Sequence, residues 1–127
     1  MADVELRSVI LGASERDALV ALLKKVDSSE FEKLFDELDA ATVVADSDMP
    51  DDIVRMNSLV TYLDESSNST SVVKLVYPGE SDSRVQVVSV LAPIGAALIG
   101  LREGESISWP MPNGHAKTLR VLKVGTS

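Results

Sequence analysis

Asp27 and Glu30 stand three residues apart in the stretch Asp27-Ser28-Ser29-Glu30, a spacing at which two carboxylates can share one divalent cation. The same acids can instead serve a helix start, where the dipole and the free backbone N–H groups favour negative charge. The single histidine, His115, follows an Asn-Gly pair and has no serine or cysteine nucleophile pattern around it. It is expected as an exposed turn residue rather than a member of a triad. Asp46-Ser47-Asp48 with Asp51 and Asp52 has the carboxylate density of a calcium loop. Yet Asp51 occupies the place where an EF-hand needs glycine, and Asn57 the place of its bidentate glutamate. Gly95 to Gly100 has the G-x-x-x-x-G spacing of a phosphate loop, but Leu101-Arg102 follows in place of Lys and Ser or Thr. The chain has no cysteine, which removes thiolate zinc sites, disulfides and a cysteine nucleophile together. These residues lead us to expect no catalytic group, no bound metal and no cofactor.

The elements that must carry Asp27 and Glu30 are two helices. Ser14-Glu15-Arg16-Asp17 resembles a capping box, and Leu19, Leu22, Leu23 and Val26 follow at i, i+3, i+4, i+7. A second box, Ser29-Glu30-Phe31-Glu32, opens an equivalent stripe at Phe31, Leu34, Phe35 and Leu38. Only Asp27 and Ser28 separate the two, so the sequence predicts an antiparallel hairpin with its stripes facing each other and Asp27 and Glu30 at its tip. Glu32, Asp36 and Asp39, with Glu37 beside them, are expected on the outer face of the second helix.

The 127 residues include 20 acids and 12 bases, for a formal charge of −8. Residues 1 to 52 hold 14 of those acids and 5 bases, whereas residues 53 to 127 hold 6 acids and 7 bases. So uneven a split predicts two physically different parts. Val43 to Pro50 reads as a linker. Beyond it the period becomes two, giving candidate strands at Leu59 to Leu63, Ser71 to Tyr77, Val85 to Val90, Ser106 to Trp109 and Thr118 to Val124. Pro112-Asn113-Gly114 is a hairpin-turn signal, and Pro93 to Ile99 is expected as a short helix ended by Gly100. The fold class is therefore α+β: an N-terminal helical hairpin with its linker over residues 1–48, then a mostly antiparallel sheet with one short helix over residues 49–127.

The N-terminus lacks the basic and apolar regions of a secretory signal, and Val90 to Leu101 is broken by Pro93, Gly95 and Gly100. A cytoplasmic protein without membrane contact is expected. An acidic chain is also unsuited to autonomous binding of duplex nucleic acid, which needs clustered Lys and Arg. A polymer partner is expected to be a protein.

Two longer segments carry a resemblance. Met49-Pro50-Asp51-Asp52-Ile53-Val54-Arg55-Met56-Asn57-Ser58, followed by Val90-Leu91-Ala92-Pro93-Ile94-Gly95-Ala96-Ala97-Leu98-Ile99-Gly100-Leu101-Arg102-Glu103-Gly104-Glu105, resembles the Rnk family, regulators of nucleoside diphosphate kinase that belong with the Gre transcript-cleavage factors. Met-Asn-Ser before the first strand, and Trp109 before the Asn-Gly turn, look like Rnk rather than Gre proper. The resemblance implies a coiled-coil hairpin followed by a sheet domain of FKBP-like fold. It implies binding to bacterial RNA polymerase, with the sheet domain docked at the rim of the secondary channel and the hairpin pointing inward. Nucleic acid would then be near only within the transcription complex.

In Gre factors the docking surface includes an acidic-Ser-Pro step before the short helix. The matching positions here are Leu91, Ala92 and Pro93, of which only the proline agrees, with Ile94 next to them. Gre factors also carry an Asp and a Glu three apart at the hairpin tip, matching Asp27 and Glu30, to help hold a catalytic magnesium of the polymerase. At about 1.5 Å per residue, arms of about 12 residues reach only about 18 Å, and the Gre hairpin is longer. The expectation is a monomeric, non-enzymatic regulator that competes with Gre factors without stimulating cleavage. The alternatives are a cleavage stimulator working through Asp27 and Glu30, and a prolyl isomerase suggested only by fold analogy. Against the latter, the sheet half offers just Tyr62, Tyr77 and Trp109 as aromatic lining.

Overall fold

The computed structural model describes residues 9–25, 32–111 and 113–126. The chain divides into two compact units, Met1–Met49 and Pro50–Ser127. The first contains β1 (Ile10–Gly12), α1 (Ala13–Lys25), α2 (Glu32–Ala40) and β2 (Thr42–Val44), then a 3-10 turn over Asp46–Asp48. Asp27 and Glu30, with the expected tip and the second capping box up to Phe31, lie outside the described residues.

The apolar period decides which helix faces turn inward: Leu19 and Leu23 are buried on α1, and Leu34 and Leu38 on α2. On the acidic side the structure corrects two expectations. Phe35 is 39% exposed, whereas Glu37 is only 1% exposed and belongs to the inner face. At about 100° per residue, positions 35 and 37 flank the Leu34–Leu38 direction symmetrically, so the period does not choose between them; the packing covers the edge that carries Glu37 and leaves the edge that carries Phe35 open. Glu32, Asp36 and Asp39 are exposed, as expected. Arg16 on α1 lies 3.9 Å from Asp39 on α2, an exposed pair of small energetic weight.

Val43 to Pro50 is more ordered than a linker. β2 pairs in parallel with β1, matching Ile10 with Thr42 and Gly12 with Val44, and the Thr42 N–H donates to the Val9 carbonyl at 2.9 Å. A parallel pair needs a long crossover, which α1 and α2 supply. The 3-10 turn then returns Asp46 to the start of α1, where its Oδ1 accepts the Ser14 N–H at 3.1 Å and its Oδ2 accepts the Ser14 hydroxyl. The local capping box is thus replaced by a carboxylate from 32 residues downstream.

The second unit contains β3 (Ser58–Asp64), β4 (Ser69–Val76), β5 (Val87–Ser89), α3 (Pro93–Leu98), β6 (Ser106–Pro110) and β7 (Ala116–Thr126). They form one sheet in the order β5-β4-β3-β7-β6. Every pair is antiparallel except β4 with β5, so the mostly antiparallel α+β class holds. One sheet face buries Val60, Val73, Leu75, Leu119, Val121 and Trp109, and α3 buries Ala96, Ala97 and Leu98 in the same core. The β6–β7 connection has the turn chemistry expected. Gly114 has φ +88°, the Met111 N–H donates to the His115 carbonyl at 2.9 Å, and the Asn113 side chain accepts the His115 N–H at 2.9 Å. His115 is exposed. Among the described residues no helix is long and apolar enough to cross a membrane.

Candidate protein-docking site

The four positions expected to dock, Leu91 to Ile94, run from the short connection after β5 into the first turn of α3. Val90 extends the ladder by donating its N–H to the Val76 carbonyl at 2.9 Å. Ser89 then bends the chain twice over: its Oγ accepts the Leu91 N–H at 3.1 Å, and its carbonyl accepts the Ala92 N–H at 2.9 Å. Ala92 is extended, with φ −71° and ψ 151°, as a residue before proline prefers. Pro93 opens α3 where a missing N–H costs nothing. The result is a lip. Leu91, Ala92, Pro93 and Ile94 are each half-buried, while every residue from Gly95 to Leu101 is buried. The lip carries no charge and no reactive group, so what it can do is make contact through apolar surface.

Two features hold it in place. A Cβ at Gly95 would sit 2.0 Å from the Ser89 carbonyl oxygen, so only glycine allows α3 this close to the turn. Behind α3, Gly100 takes φ +82°, and the chain runs back along residues 52–54. The Gly100 N–H donates to the Val54 carbonyl at 3.0 Å, the Val54 N–H to the Leu101 carbonyl at 2.8 Å, and the Glu103 N–H to the Asp52 carbonyl at 2.9 Å. The Arg102 Nε lies 3.2 Å from the Asp52 carboxylate. The two segments singled out in the sequence are therefore paired side by side. The first ends in its own fixed turn: Asn57 has φ +72°, its N–H donates to the Leu75 carbonyl at 2.6 Å, and the Ser58 hydroxyl accepts the Arg55 N–H at 2.9 Å. The glycine spacing that imitates a phosphate loop thus serves close packing at one end and a left-handed turn at the other.

Asp82 lies between β4 and β5 and belongs to none of the motifs read in the sequence. Its carboxylate is reached by the Lys74 Nζ at 3.2 Å, the Arg84 Nε at 3.2 Å and the Arg84 backbone N–H at 2.9 Å. Hydrogen bonds from Arg84, side chain first and backbone next, with Lys74 behind them, hold the Asp82 carboxyl well below the ordinary carboxylate range. This cluster ties the β4–β5 loop to the sheet just before β5 delivers the lip. Its signal was the run of opposite charges Lys74, Asp82 and Arg84, whose convergence depends on the loop's return path. Asp46, once a candidate calcium ligand, is occupied with Ser14, and no metal-binding group of three or more His, Cys, Asp or Glu occurs among the described residues.

The family model for the C-terminal part of GreA/GreB transcription elongation factors matches residues 49–126, which is the whole span that builds this lip. The chain is 47% identical over 89 residues to the regulator of nucleoside diphosphate kinase of Escherichia coli K12, covering 69% of this chain and 65% of that relative. It is 28% identical over 102 residues to the elongation factor GreA of Azorhizobium caulinodans, covering 80% of this chain and 64% of the relative. The chain thus spans slightly less than two thirds of these curated relatives. Among solved structures, the GreA/GreB elongation factor of Nitrosomonas europaea aligns with a TM-score of 0.74 and 34% identity over 94% of this chain and 98% of that one. With a family match over the second unit and a structural match over nearly the full length, the chain belongs to the GreA/GreB family of transcription elongation factors.

Proposed function

We propose that the chain is a non-enzymatic regulator of transcription that binds bacterial RNA polymerase in the manner of Gre and Rnk proteins. The sheet domain, FKBP-like in this reading, docks at the rim of the secondary channel, and the first unit acts as a short coiled-coil hairpin directed into it. One observation carries this reading: the family-matched span 49–126 presents Leu91, Ala92, Pro93 and Ile94 as a rigid, uncharged, half-exposed lip. Contact without chemistry is what such a lip offers. α1 has 13 residues and so reaches about 20 Å at 1.5 Å per residue, which favours a hairpin that occupies the channel entrance and competes with Gre factors over one that delivers Asp27 and Glu30 to the active centre. An isomerase reading gains no support, because Trp109, the largest aromatic of the sheet half, is buried. Biolayer interferometry against core RNA polymerase is expected to show binding that a Gre factor displaces, and no binding at micromolar concentrations would overturn the proposal. Addition to backtracked complexes is expected to release no RNA fragments. Release that depends on Asp27 and Glu30 would establish the cleavage reading instead.

A further inference from the structure

The sheet of the second unit has a second face, opposite the core. Alternation along β3 places Leu59, Thr61 and Leu63 on it, and the register puts Val72 opposite Thr61 on one side and Lys123 opposite Thr61 on the other. An antiparallel sheet with one solvated face normally alternates apolar inward and polar outward. Here Val72 is 51% exposed and Leu122 43% exposed, with Leu59 and Leu63 half-buried between them.

Leu122 owes its position to a register shift. The ladder pairs Thr61 with Lys123 but Tyr62 with Val121, so Leu122 is the extra residue of a bulge. Val121 is buried while Leu122 and Lys123 are both exposed, and the bulge thereby turns two successive side chains outward. Bulges re-aim side chains in this way, at a cost to the ladder.

The charged groups on this face are cations. Lys123 sits beside Leu122, Lys74 is opposite Leu59, and Arg120 is opposite Leu63. Arg120 is held at 3.2 Å from Glu65 and Lys74 at 3.2 Å from Asp82, both acids lying in the loops at the ends of the strands. With Lys74 and Arg120 each paired to an acid of this chain, Lys123 beside Leu122 is the charge that the face offers a partner, and an apolar centre with that cation at its margin is complementary to an amphipathic protein segment whose apolar side chains are flanked by carboxylates.

We infer that the outer face of this sheet, centred on Val72 and Leu122, is a second contact surface for the polymerase, and that it receives an acidic amphipathic segment of that enzyme. This rests on the polymerase-binding reading above but concerns a surface separate from the lip.

The test is binding of the full chain to core RNA polymerase by interferometry, with Val72→Glu, Leu122→Glu, Leu122→Lys and Lys123→Glu. The three glutamate variants are expected to lose about tenfold or more in affinity, and Leu122→Lys markedly less, because only the glutamates repel an acidic partner. All three positions are on the surface, so the melting curves of the four variants should superimpose on the wild type. Lys123→Glu leaves the apolar centre untouched and gives a reading even if a glutamate at position 72 or 122 disturbs folding. If the wild type does not bind polymerase, the functional reading itself fails. If the wild type binds and the glutamate variants bind equally well, the sheet-face inference alone is overturned. Equal loss with lysine and glutamate at position 122 overturns the acidic partner. A wild-type dimer in sedimentation that Leu122→Glu converts to monomer would make the face a contact between copies of this chain, and also overturns the inference.

Discussion

Gly95 and Asp82 show how single residues place the lip. Gly95 is needed for space rather than for an unusual dihedral, since the Ser89 carbonyl oxygen lies where its Cβ would be. Gly95→Ala must push α3 off the turn, and overpacking of this kind costs about 1–3 kcal/mol or more. The expected result is a lower melting temperature together with weaker polymerase binding, because the lip moves with α3. Asp82 makes a different demand. Its carboxyl is held below its unfolded value of about 3.9, so its contribution to stability is complete above that value and is lost as pH falls toward the depressed folded value. Thermal unfolding between about pH 4 and pH 2 should therefore be less steeply pH-dependent in Asp82→Asn than in the wild type; identical slopes would show that the cluster contributes nothing. Asp64 follows the same sign: burial raises its carboxyl, but hydrogen bonds from Lys117 and Ser66 outweigh that and leave it lowered.

At the scale of elements, the local period was informative about packing faces and poor about partners. The stripe through Leu34 and Leu38 was legible because both are apolar and one turn apart. Phe35 was misplaced because a hydrophobicity pattern cannot tell which edge of a wide stripe the neighbouring helix will cover. Leu34→Ala is expected to destabilise the first unit by about 2–4 kcal/mol, read as a loss of hydrogen-exchange protection in α1 and α2. An unchanged exchange pattern would mean that Leu34 lies outside the helical core. The start of α1 offers a second check at this scale. Since Asp46 serves as its cap, Asp46→Ala should cost about 0.5–2 kcal/mol, within the range for a lost N-terminal cap, whereas Asp17→Ala, which removes the supposed box partner, should cost less. The β1–β2 pair escaped the sequence reading for a related reason. Three-residue strands give no usable period, and Val43 and Val44 find their partners only after two helices have intervened.

For the whole molecule, the uneven charge gives the sharpest expectation. The exposed acids Glu32, Asp36 and Asp39 lie on the unit proposed to enter the channel. Neutralising all three to Asn or Gln should alter polymerase association and its dependence on salt. If neither the association rate nor the salt dependence changes, the acidic face serves solubility alone. Because net charge acts on association rather than on fold, the same triple variant should keep its melting temperature within a few degrees.

The sequence by itself determined the class of the fold, the limits of the sheet strands to within a few residues, the short helix at Pro93 and the turn at Asn113-Gly114. Those features are written in nearest-neighbour chemistry: side-chain alternation, proline's fixed φ and the tolerance of Asn and Gly for positive φ. It also determined the family, because residues 49–58 and 90–105 are long enough to be distinctive. Only the tertiary structure decided that these two segments lie against each other, that Asp46 caps a helix 32 residues upstream, that Glu37 turns inward, and that a bulge aims Leu122 and Lys123 at solvent. Each of those depends on which distant segment arrives, and local periodicity holds no information about that.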